Sequence, residues 1–152
     1  MNDDLKAQDW LEQLQSVGCR ITAPRRAIVD ILLNSERALS PSEIYDISRE
    51  RIKGMGLVTV YRTLETLEEL GLVQRVHQPQ GCQAFVPVKQ GHNHLLLCSH
   101  CNRYAYFTGE DLEAFFEAAG GQYGYRVTDH WLQLFGLCQA CQGTAAGAEH
   151  HT

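Results

Sequence analysis

Long hydrophobic runs are missing from this sequence of 152 residues. No stretch approaches the roughly 20 consecutive apolar residues that a membrane-spanning helix requires. The first residues, Met1-Asn-Asp-Asp4, are acidic, and the apolar core of a secretory leader does not follow them. We therefore expect a cytoplasmic protein with no membrane partner, in a compartment where thiols stay reduced.

An excess of positive charge is also missing. The chain has 13 Lys and Arg against 18 Asp and Glu, which gives a net charge of -5 and an isoelectric point near 5.8. This balance argues against an indiscriminate nucleic-acid binder, although a local face can still bind DNA. No His-x-Glu pair precedes the cysteines, as the signature of a zinc deaminase would require, so we expect no enzymatic activity.

Cysteine, in contrast, is arranged in an informative pattern. Four of the six cysteines form two C-x-x-C pairs, Cys98-Ser-His-Cys101 and Cys138-Gln-Ala-Cys141. Both thiolates of such a pair can turn toward one ion, and two pairs complete a tetrahedral site for Zn²⁺. The alternatives are two disulfides, which a reducing compartment disfavours, or four unrelated buried thiols. The sequence therefore predicts a structural zinc site formed by Cys98, Cys101, Cys138 and Cys141.

The two halves of the chain differ in composition. Residues 1–87 contain helix signals followed by a short hairpin, which is the order of a winged helix-turn-helix. Residues 92–142 carry four of the seven His and four of the six Cys together with strand-like runs. We predict an α+β protein with a DNA-binding domain over 1–87, a hinge at 88–91 and a small α/β metal-binding domain over 92–142. The tail at 143–152 has no apolar periodicity and is predicted to be disordered.

Helix start and stop signals subdivide the first half. Apolar residues between Leu5 and Leu14 indicate a first short helix, and Thr22 can cap a second helix. Ser40-Pro41-Ser42-Glu43 combines an N-cap, an N1 proline and a capping-box glutamate, which predicts the start of a third helix. The remaining predicted elements are a fourth helix from Val58 to Leu70 that ends at Gly71, and strands over 72–77 and 82–88 joined by a turn at 78–81.

The predicted fourth helix has one apolar and one polar face. The residues at apolar helical spacing are Val60, Leu64, Leu67 and Leu70, which we place toward the core. The opposite side then carries Thr59, Arg62, Thr63 and Thr66, with Tyr61 on the flank. A recognition helix reads bases with its N-terminal residues, so this face predicts DNA binding. An ordinary solvated helix would show the same periodicity.

Several motifs resemble the ferric uptake regulator (Fur) family. They are Gly18-Cys-Arg-Ile-Thr22-Ala-Pro-Arg25, Thr59-Val-Tyr-Arg-Thr-Leu64, Leu67-Glu-Glu-Leu-Gly-Leu72-Val73 and Gly91-His-Asn-His-Leu95, followed by both C-x-x-C pairs. The resemblance implies a homodimeric, metal-dependent transcriptional repressor that binds double-stranded operator DNA and dimerises through its C-terminal domain. It also implies that Tyr61 and Arg62 contact DNA and that Arg20 reaches the minor groove.

A regulatory metal site is expected beside the cysteines, because a closed four-thiolate site is poor at reporting metal levels. His92 and His94 alternate, so on a strand both imidazoles would project from one face. Glu113 lies on a predicted helix that Thr108 caps. Three imidazoles and one carboxylate, with His130 as the third imidazole, would favour Zn²⁺ and would also accept Fe²⁺, Mn²⁺ or Co²⁺.

The positions of these ligands also resemble a family metal site. His130 falls in a strand-like run from Tyr125 to Leu137. Counted from Cys98, the positions of His92, His94, Glu113 and His130 match a metal site of the Fur family, in which aspartate is common where this chain has His94.

A second regulatory site of the family is altered in this chain. Where the resemblance places further histidines, the sequence has Asn93 and Leu95, and leucine cannot bind a metal. His77 and Cys82 flank the predicted wing turn and are the candidate ligands that would rebuild the site; ordinary surface positions are the alternative. Because a thiolate shifts preference toward zinc, we expect a zinc-responsive regulator. An iron- or manganese-responsive or peroxide-sensing regulator of the same family is the alternative.

Overall fold

The computed structural model describes residues 2–78, 81–109 and 111–143. The chain divides into two compact units, one on each side of the bond between Val88 and Lys89. Apart from Gly143, the tail predicted to be disordered lies outside the described residues, as does the centre of the predicted wing turn. None of the described helices has the length and apolar character needed to cross a membrane.

The first unit consists of four helices and a hairpin. Its elements are α1 (Asn2–Ser16), α2 (Ala23–Leu33), α3 (Pro41–Arg51), α4 (Leu57–Glu69), β1 (Val73–His77) and β2 (Gln83–Pro87). The strands pair in antiparallel register from Val73 opposite Pro87 to His77 opposite Gln83. Helix α1 is longer than the predicted short helix, and polar pairs one turn apart on its surface, such as Gln8 with Glu12, support its length.

The helix boundaries follow the capping signals of the sequence. The Thr22 hydroxyl accepts a hydrogen bond from the Arg25 N–H at 3.4 Å. Ser40 and Glu43 form a complete capping box, with Glu43 N–H donating to Ser40 Oγ at 3.2 Å and Ser40 N–H donating to Glu43 Oε2 at 2.8 Å. Gly71 follows α4 with a φ of +69°, which confirms the predicted C′ glycine.

The core of the first unit lies between the helices and the hairpin. Fully buried side chains include Leu14, Ile28, Leu32, Ile44, Val60, Leu64 and Leu67. The predicted outward orientation of Thr63 is wrong, because this side chain is buried and its hydroxyl donates to the Thr59 carbonyl at 2.7 Å. That bond satisfies the hydroxyl inside the helix, so threonine fits at a core position.

The second unit is a three-stranded sheet with two helices. Its elements are β3 (His94–Cys98), β4 (Tyr104–Phe107), α5 (Leu112–Gln122), β5 (Gln133–Gly136) and α6 (Gln139–Gln142). The strand order is β4-β3-β5, with β3 antiparallel to β4 and parallel to β5. The α+β fold class predicted from the sequence is therefore confirmed.

Three local predictions in the second unit are wrong. His92 lies in a bend before β3 rather than on the strand. Helix α5 has Asp111 rather than Thr108 at its N-cap, and Leu112 N–H donates to the Gly109 carbonyl instead. The strand-like run from Tyr125 to Leu137 is a strand only over Gln133–Gly136, where β3 supplies hydrogen-bond partners.

Candidate metal centres and DNA-binding face

The four predicted cysteines converge in the second unit. Cys98 ends β3, and Cys101 lies in the turn that follows. Cys138 is the N-cap of α6, and Cys141 lies within that helix. Their sulfur atoms all lie within 4.8 Å of one another, and the Sγ atoms of Cys101 and Cys138 are 3.6 Å apart. Four thiolates bound tetrahedrally to zinc at about 2.3 Å are about 3.8 Å apart, so the cluster fits a Zn²⁺ ion.

Backbone N–H groups stabilise the thiolate form of Cys98. Burial alone would raise the pKa of Cys98, but N–H groups of Cys138, Cys101 and His100 donate to its sulfur and lower the pKa to about 6. A backbone hydrogen bond from Cys141 also lowers the pKa of Cys138, whereas burial raises the pKa of Cys141 to about 12. The thiolate is the form that binds a metal, so N–H groups directed at Cys98 favour the ligand state.

Four residues, His92, His94, Glu113 and His130, were predicted to form one regulatory metal site. The three histidines form a cluster separate from the cysteines. His92 precedes β3, His94 begins it, and His130 lies in the segment that leads into β5. One nitrogen from each ring lies within 4.8 Å of the others, and the ring centroids of His92 and His130 are 4.7 Å apart. The fourth predicted ligand, Glu113, is exposed on α5, with its Oε1 3.8 Å from Nε2 of His92. The carboxylate therefore lies at the edge of the three-histidine cluster.

Two atoms of this cluster lack the partners that buried polar atoms normally have. The Nε2 atoms of His94 and His130 are buried, and neither atom has a hydrogen-bond partner. A buried nitrogen without a partner is energetically costly, and a metal ion would satisfy it. Among the residues described, these two imidazoles are the strongest structural indication that the cluster holds an ion.

Aromatic side chains hold the imidazoles in place. Phe107 of β4 lies opposite His94 in the sheet register, with ring centroids 5.4 Å apart, and Phe116 of α5 packs on His130 at 4.5 Å. Sequence analysis did not single out either phenylalanine. The available signal was the position of Phe116, three residues after Glu113 on the same helix face.

The electrostatics of the cluster suit a cation. Burial lowers the pKa of His94, and the neighbouring His92 and His130 lower it further, so the ring stays neutral and can bind a metal. An open cavity of about 300 Å³ lies beside the cluster, and its lining includes the acidic side chains Glu113, Glu117 and Asp129.

The predicted DNA-contacting residues lie in the first unit. Tyr61 and Arg62 are exposed in the N-terminal half of α4, and Thr59 is half-buried there. Arg20 is exposed in the loop before α2, where its carbonyl accepts a hydrogen bond from Arg25 Nη1 at 2.5 Å. The first turns of α4 therefore offer Tyr61 and Arg62 to a ligand.

His77 and Cys82 belong to the first unit and to neither metal-ligand cluster among the described residues. His77 ends β1 opposite Gln83, and Cys82 is exposed directly before β2. The two side chains therefore flank the turn of the hairpin, and their role as ligands stays a prediction.

The sequence profile of the Ferric uptake regulator family matches residues 16–135. The chain belongs to this family. Among its Fur-family relatives, the ferric uptake regulation protein of Neisseria meningitidis serogroup A is 32% identical over 133 residues, which cover 87% of this chain and 92% of that protein. The peroxide operon regulator of Bacillus subtilis is 31% identical over 134 residues, or 88% of this chain and 92% of the relative.

Structural comparison agrees with the family assignment. The structure of a zinc-bound manganese uptake regulator matches with a TM-score of 0.69 and 29% identity, over 85% of this chain and 98% of that chain. The Fur family consists of DNA-binding, metal-dependent transcription regulators rather than enzymes, so the chain is a metal-dependent transcription regulator. The resemblance noted in the sequence is confirmed.

Proposed function

We propose that this Fur-family protein is a homodimeric, zinc-responsive repressor that binds operator DNA in the cytoplasm and controls metal-uptake genes. The observation that carries the proposal is the convergence of His92, His94 and His130, with two buried Nε2 atoms that have no partner. A centre that a metal would complete is suited to sensing because its occupancy can vary with the free metal concentration.

The two metal centres have different roles in this proposal. Zn²⁺ at Cys98, Cys101, Cys138 and Cys141 is structural, since four thiolates leave no open position on the ion. When bound there, zinc would cross-link the end of β3 to the segment after β5. The regulatory ion is held by His92, His94 and His130, with Glu113 as the nearby carboxylate. Imidazole nitrogen suits zinc but also suits iron, so the metal preference has to be measured.

The DNA-binding part of the proposal rests on α4. Its exposed N-terminal half presents Tyr61 and Arg62, with Thr59 beside them, and an arginine can donate two hydrogen bonds to a guanine. Arg20 would add a contact outside the helix. If metal binds the DNA-competent form more tightly than the other form, linkage requires that DNA in turn tightens metal binding.

The homodimer is supported by apolar surface on the second unit. Large apolar side chains with at least 40% exposure there are Leu96, Phe115, Tyr123, Tyr125, Trp131, Leu134, Phe135 and Leu137. Of these, Leu96 and Leu134 are neighbours in register on β3 and β5, and adjacent exposed apolar side chains are typical of a protein interaction site. A second copy of the chain is the partner that we assign to it.

Metal-dependent DNA binding tests the function directly. Duplexes would first be selected from a random pool by the zinc-loaded protein, and their affinity then measured across buffered free Zn²⁺, Fe²⁺ and Mn²⁺ with ions counted per subunit. We expect two zinc ions per subunit and DNA binding that rises with occupancy of the second. DNA binding that follows Fe²⁺ or Mn²⁺ instead would replace zinc by that metal, and peroxide-dependent loss of binding would favour the peroxide-sensing alternative.

Single substitutions assign the regulatory site. His130→Ala should retain the cysteine-site zinc and lose the metal response, because one of the three imidazoles is missing. His100→Ala is the matched control, since the His100 side chain is exposed and outside the cluster, and alanine keeps the backbone N–H group that donates to Cys98. A His130→Ala protein with an unchanged zinc response would contradict the assignment. The same titration with His77→Ala and Cys82→Ala tests the prediction that these residues are also ligands.

A further inference from the structure

A glycine lies directly against the most buried imidazole of the histidine cluster. Gly109 is in the segment between β4 and α5. A Cβ atom added there would lie 2.6 Å from Leu112 Cδ1, 2.9 Å from His94 Cδ2 and 3.0 Å from His94 Nε2. The backbone at Gly109 is not in the left-handed region, so glycine is required here by space and not by conformation.

The two neighbours of that added carbon differ in their freedom to move. Leu112 is contacted at the end of a flexible side chain, which can change rotamer at little cost. His94 is only 3% exposed, and the rings of His92, Phe107 and His130 lie 4.9 to 5.4 Å from its centroid. A side chain at position 109 would therefore push on an imidazole that cannot easily give way.

The added carbon would also lie close to Nε2 of His94, the atom that we propose binds the metal. Nε2 of His94 is buried and without a hydrogen-bond partner. An ion bound to this nitrogen would be about 2.0–2.1 Å from it, so the ion needs free space next to the ring. A methyl carbon 3.0 Å from the same nitrogen would crowd that space.

We propose that Gly109 is a positioning residue of the regulatory metal site. Because it has no side chain, the segment before α5 can lie against His94 and still leave room for a divalent ion on Nε2. The inference rests on the regulatory site proposed above and adds a residue that binds no metal itself. Any side chain at this position would shift the imidazole, occupy space that the ion needs, or both.

A matched control exists in the same unit. Gly121 lies on α5, and a Cβ atom added there would meet nothing within 4 Å. Gly121→Ala therefore makes the same chemical change as Gly109→Ala without crowding a neighbour. Alanine is also the better helix former, so Gly121→Ala should not destabilise α5.

The test compares zinc binding by the full-length wild type, Gly109→Ala and Gly121→Ala in a chelator competition, with zinc counted per subunit. We expect all three to retain the cysteine-site zinc. Gly121→Ala should bind the second ion within twofold of wild type, whereas Gly109→Ala should bind it at least tenfold more weakly. Imidazole ¹⁵N resonances should also be recorded for the three proteins with zinc only at the cysteine site. Of the two variants, only Gly109→Ala should shift the His94 resonances, which would show that the ring is displaced even before the second ion binds.

Three results would overturn the inference. The first is second-site affinity in Gly109→Ala within twofold of wild type. The second is recovery of wild-type affinity in Gly109→Ala/Leu112→Ala, which removes the shortest contact and leaves the one to His94; the glycine would then serve packing against Leu112. The third is loss of the cysteine-site zinc in both variants, which would show that the glycine serves folding. If the wild type itself bound only the cysteine-site ion, the regulatory site would fail instead.

Discussion

At the scale of single residues, the burial of His94 has an energetic cost that the proposed regulatory site would explain. Its ring is buried, and its Nε2 has no partner. Leaving a buried polar atom unpaired costs about 1–3 kcal/mol, and burial lowers the pKa of the ring, so that it stays neutral. The cost is understandable if the atom is reserved for an ion.

Replacement of His94 by leucine should therefore separate stability from metal binding. With only the cysteine site filled, we expect His94→Leu to melt at the same temperature as wild type or a few degrees higher, because an unpaired polar atom is removed. The same variant should no longer bind the second ion. Thermal unfolding and metal counting on one sample measure both effects.

His92→Leu is the control for this prediction. The His92 side chain is about half exposed and lies near Glu113, so its replacement should give no gain in melting temperature while also weakening the second site. A His94→Leu protein that melts well below His92→Leu would contradict the interpretation of His94 as an unsatisfied ligand.

At the scale of elements, a single arginine connects α4 to both strands of the hairpin. Arg75 of β1 donates from Nε and Nη2 to the Glu68 carboxylate of α4 at 3.1 and 2.6 Å. Its Nη1 donates to Gln83 Oε1 at 2.8 Å, and the guanidinium lies over the Phe85 ring, 5.3 Å from the centroid. The hydrogen bond to Glu68 is the main reason that the pKa of Arg75 is raised. A two-pronged ion pair thus links α4, the proposed recognition helix, to the hairpin.

Arg75→Met should destabilise the first unit by about 1–2 kcal/mol, since the pair is about one-third exposed and partly screened. Denaturant unfolding would measure the change. Arg49→Met is the comparison, because both side chains of the Arg49–Asp46 pair are more than half exposed and the pair should contribute less than about 0.5 kcal/mol. Equal effects of the two substitutions would argue against a special role for Arg75.

Strands β3 and β5 connect the two candidate metal centres. His94 begins β3 and Cys98 ends it, while His130 precedes β5 and Cys138 follows it. The two strands pair in parallel, with Cys98 opposite Gly136. An ion at the cysteines would therefore fix the pairing that also brings His94 and His130 together.

Loss of the cysteine site should consequently abolish the histidine site, whereas the reverse should not hold. Cys138→Ser is expected to lose both ions and to unfold the second unit, and His130→Ala only the second ion. Metal counting and circular dichroism would distinguish the two variants. A folded Cys138→Ser protein that still binds an ion at the histidines would refute this dependence.

Local signals in the sequence predicted most of the elements. Thr22, Ser40 with Glu43, and Gly71 mark helix ends because their capping bonds involve residues only a few positions away. Thr63 was misplaced although it lies three residues after Val60, on the buried side of α4. Thr63 was placed outward because threonine is polar. The prediction did not take into account that its hydroxyl can donate to the Thr59 carbonyl one turn earlier.

Predictions that depended on distant parts of the chain were less accurate. The segment from Tyr125 to His130 has strand-like composition, but only the later residues find a pairing partner in β3. The candidate ligands of both sites could be proposed from the sequence. The strand pairing that brings them together could not, because it is a parallel pairing between segments more than 30 residues apart, which a local pattern does not reveal.

At the scale of the whole molecule, the proposed homodimer would cover exposed apolar side chains of the second unit. Leu96 of β3 and Leu134 of β5 are neighbours in register, and both side chains are over 40% exposed. Charges at these two positions would be buried without partners in a dimer interface. Leu96→Glu/Leu134→Glu should therefore convert the dimer into a monomer, measured as a halved mass by light scattering. A wild-type protein that is already monomeric with zinc bound would contradict the homodimer.

The central claim is that an ion held by His92, His94 and His130 controls DNA binding by the first unit. Its most direct test measures, in one titration, occupancy of the second metal site and affinity for a duplex selected by the zinc-loaded protein. The account predicts that affinity rises together with second-site occupancy, that DNA tightens metal binding by the same factor, and that both effects vanish in His94→Ala. Equal DNA affinity with one and with two ions per subunit would contradict it.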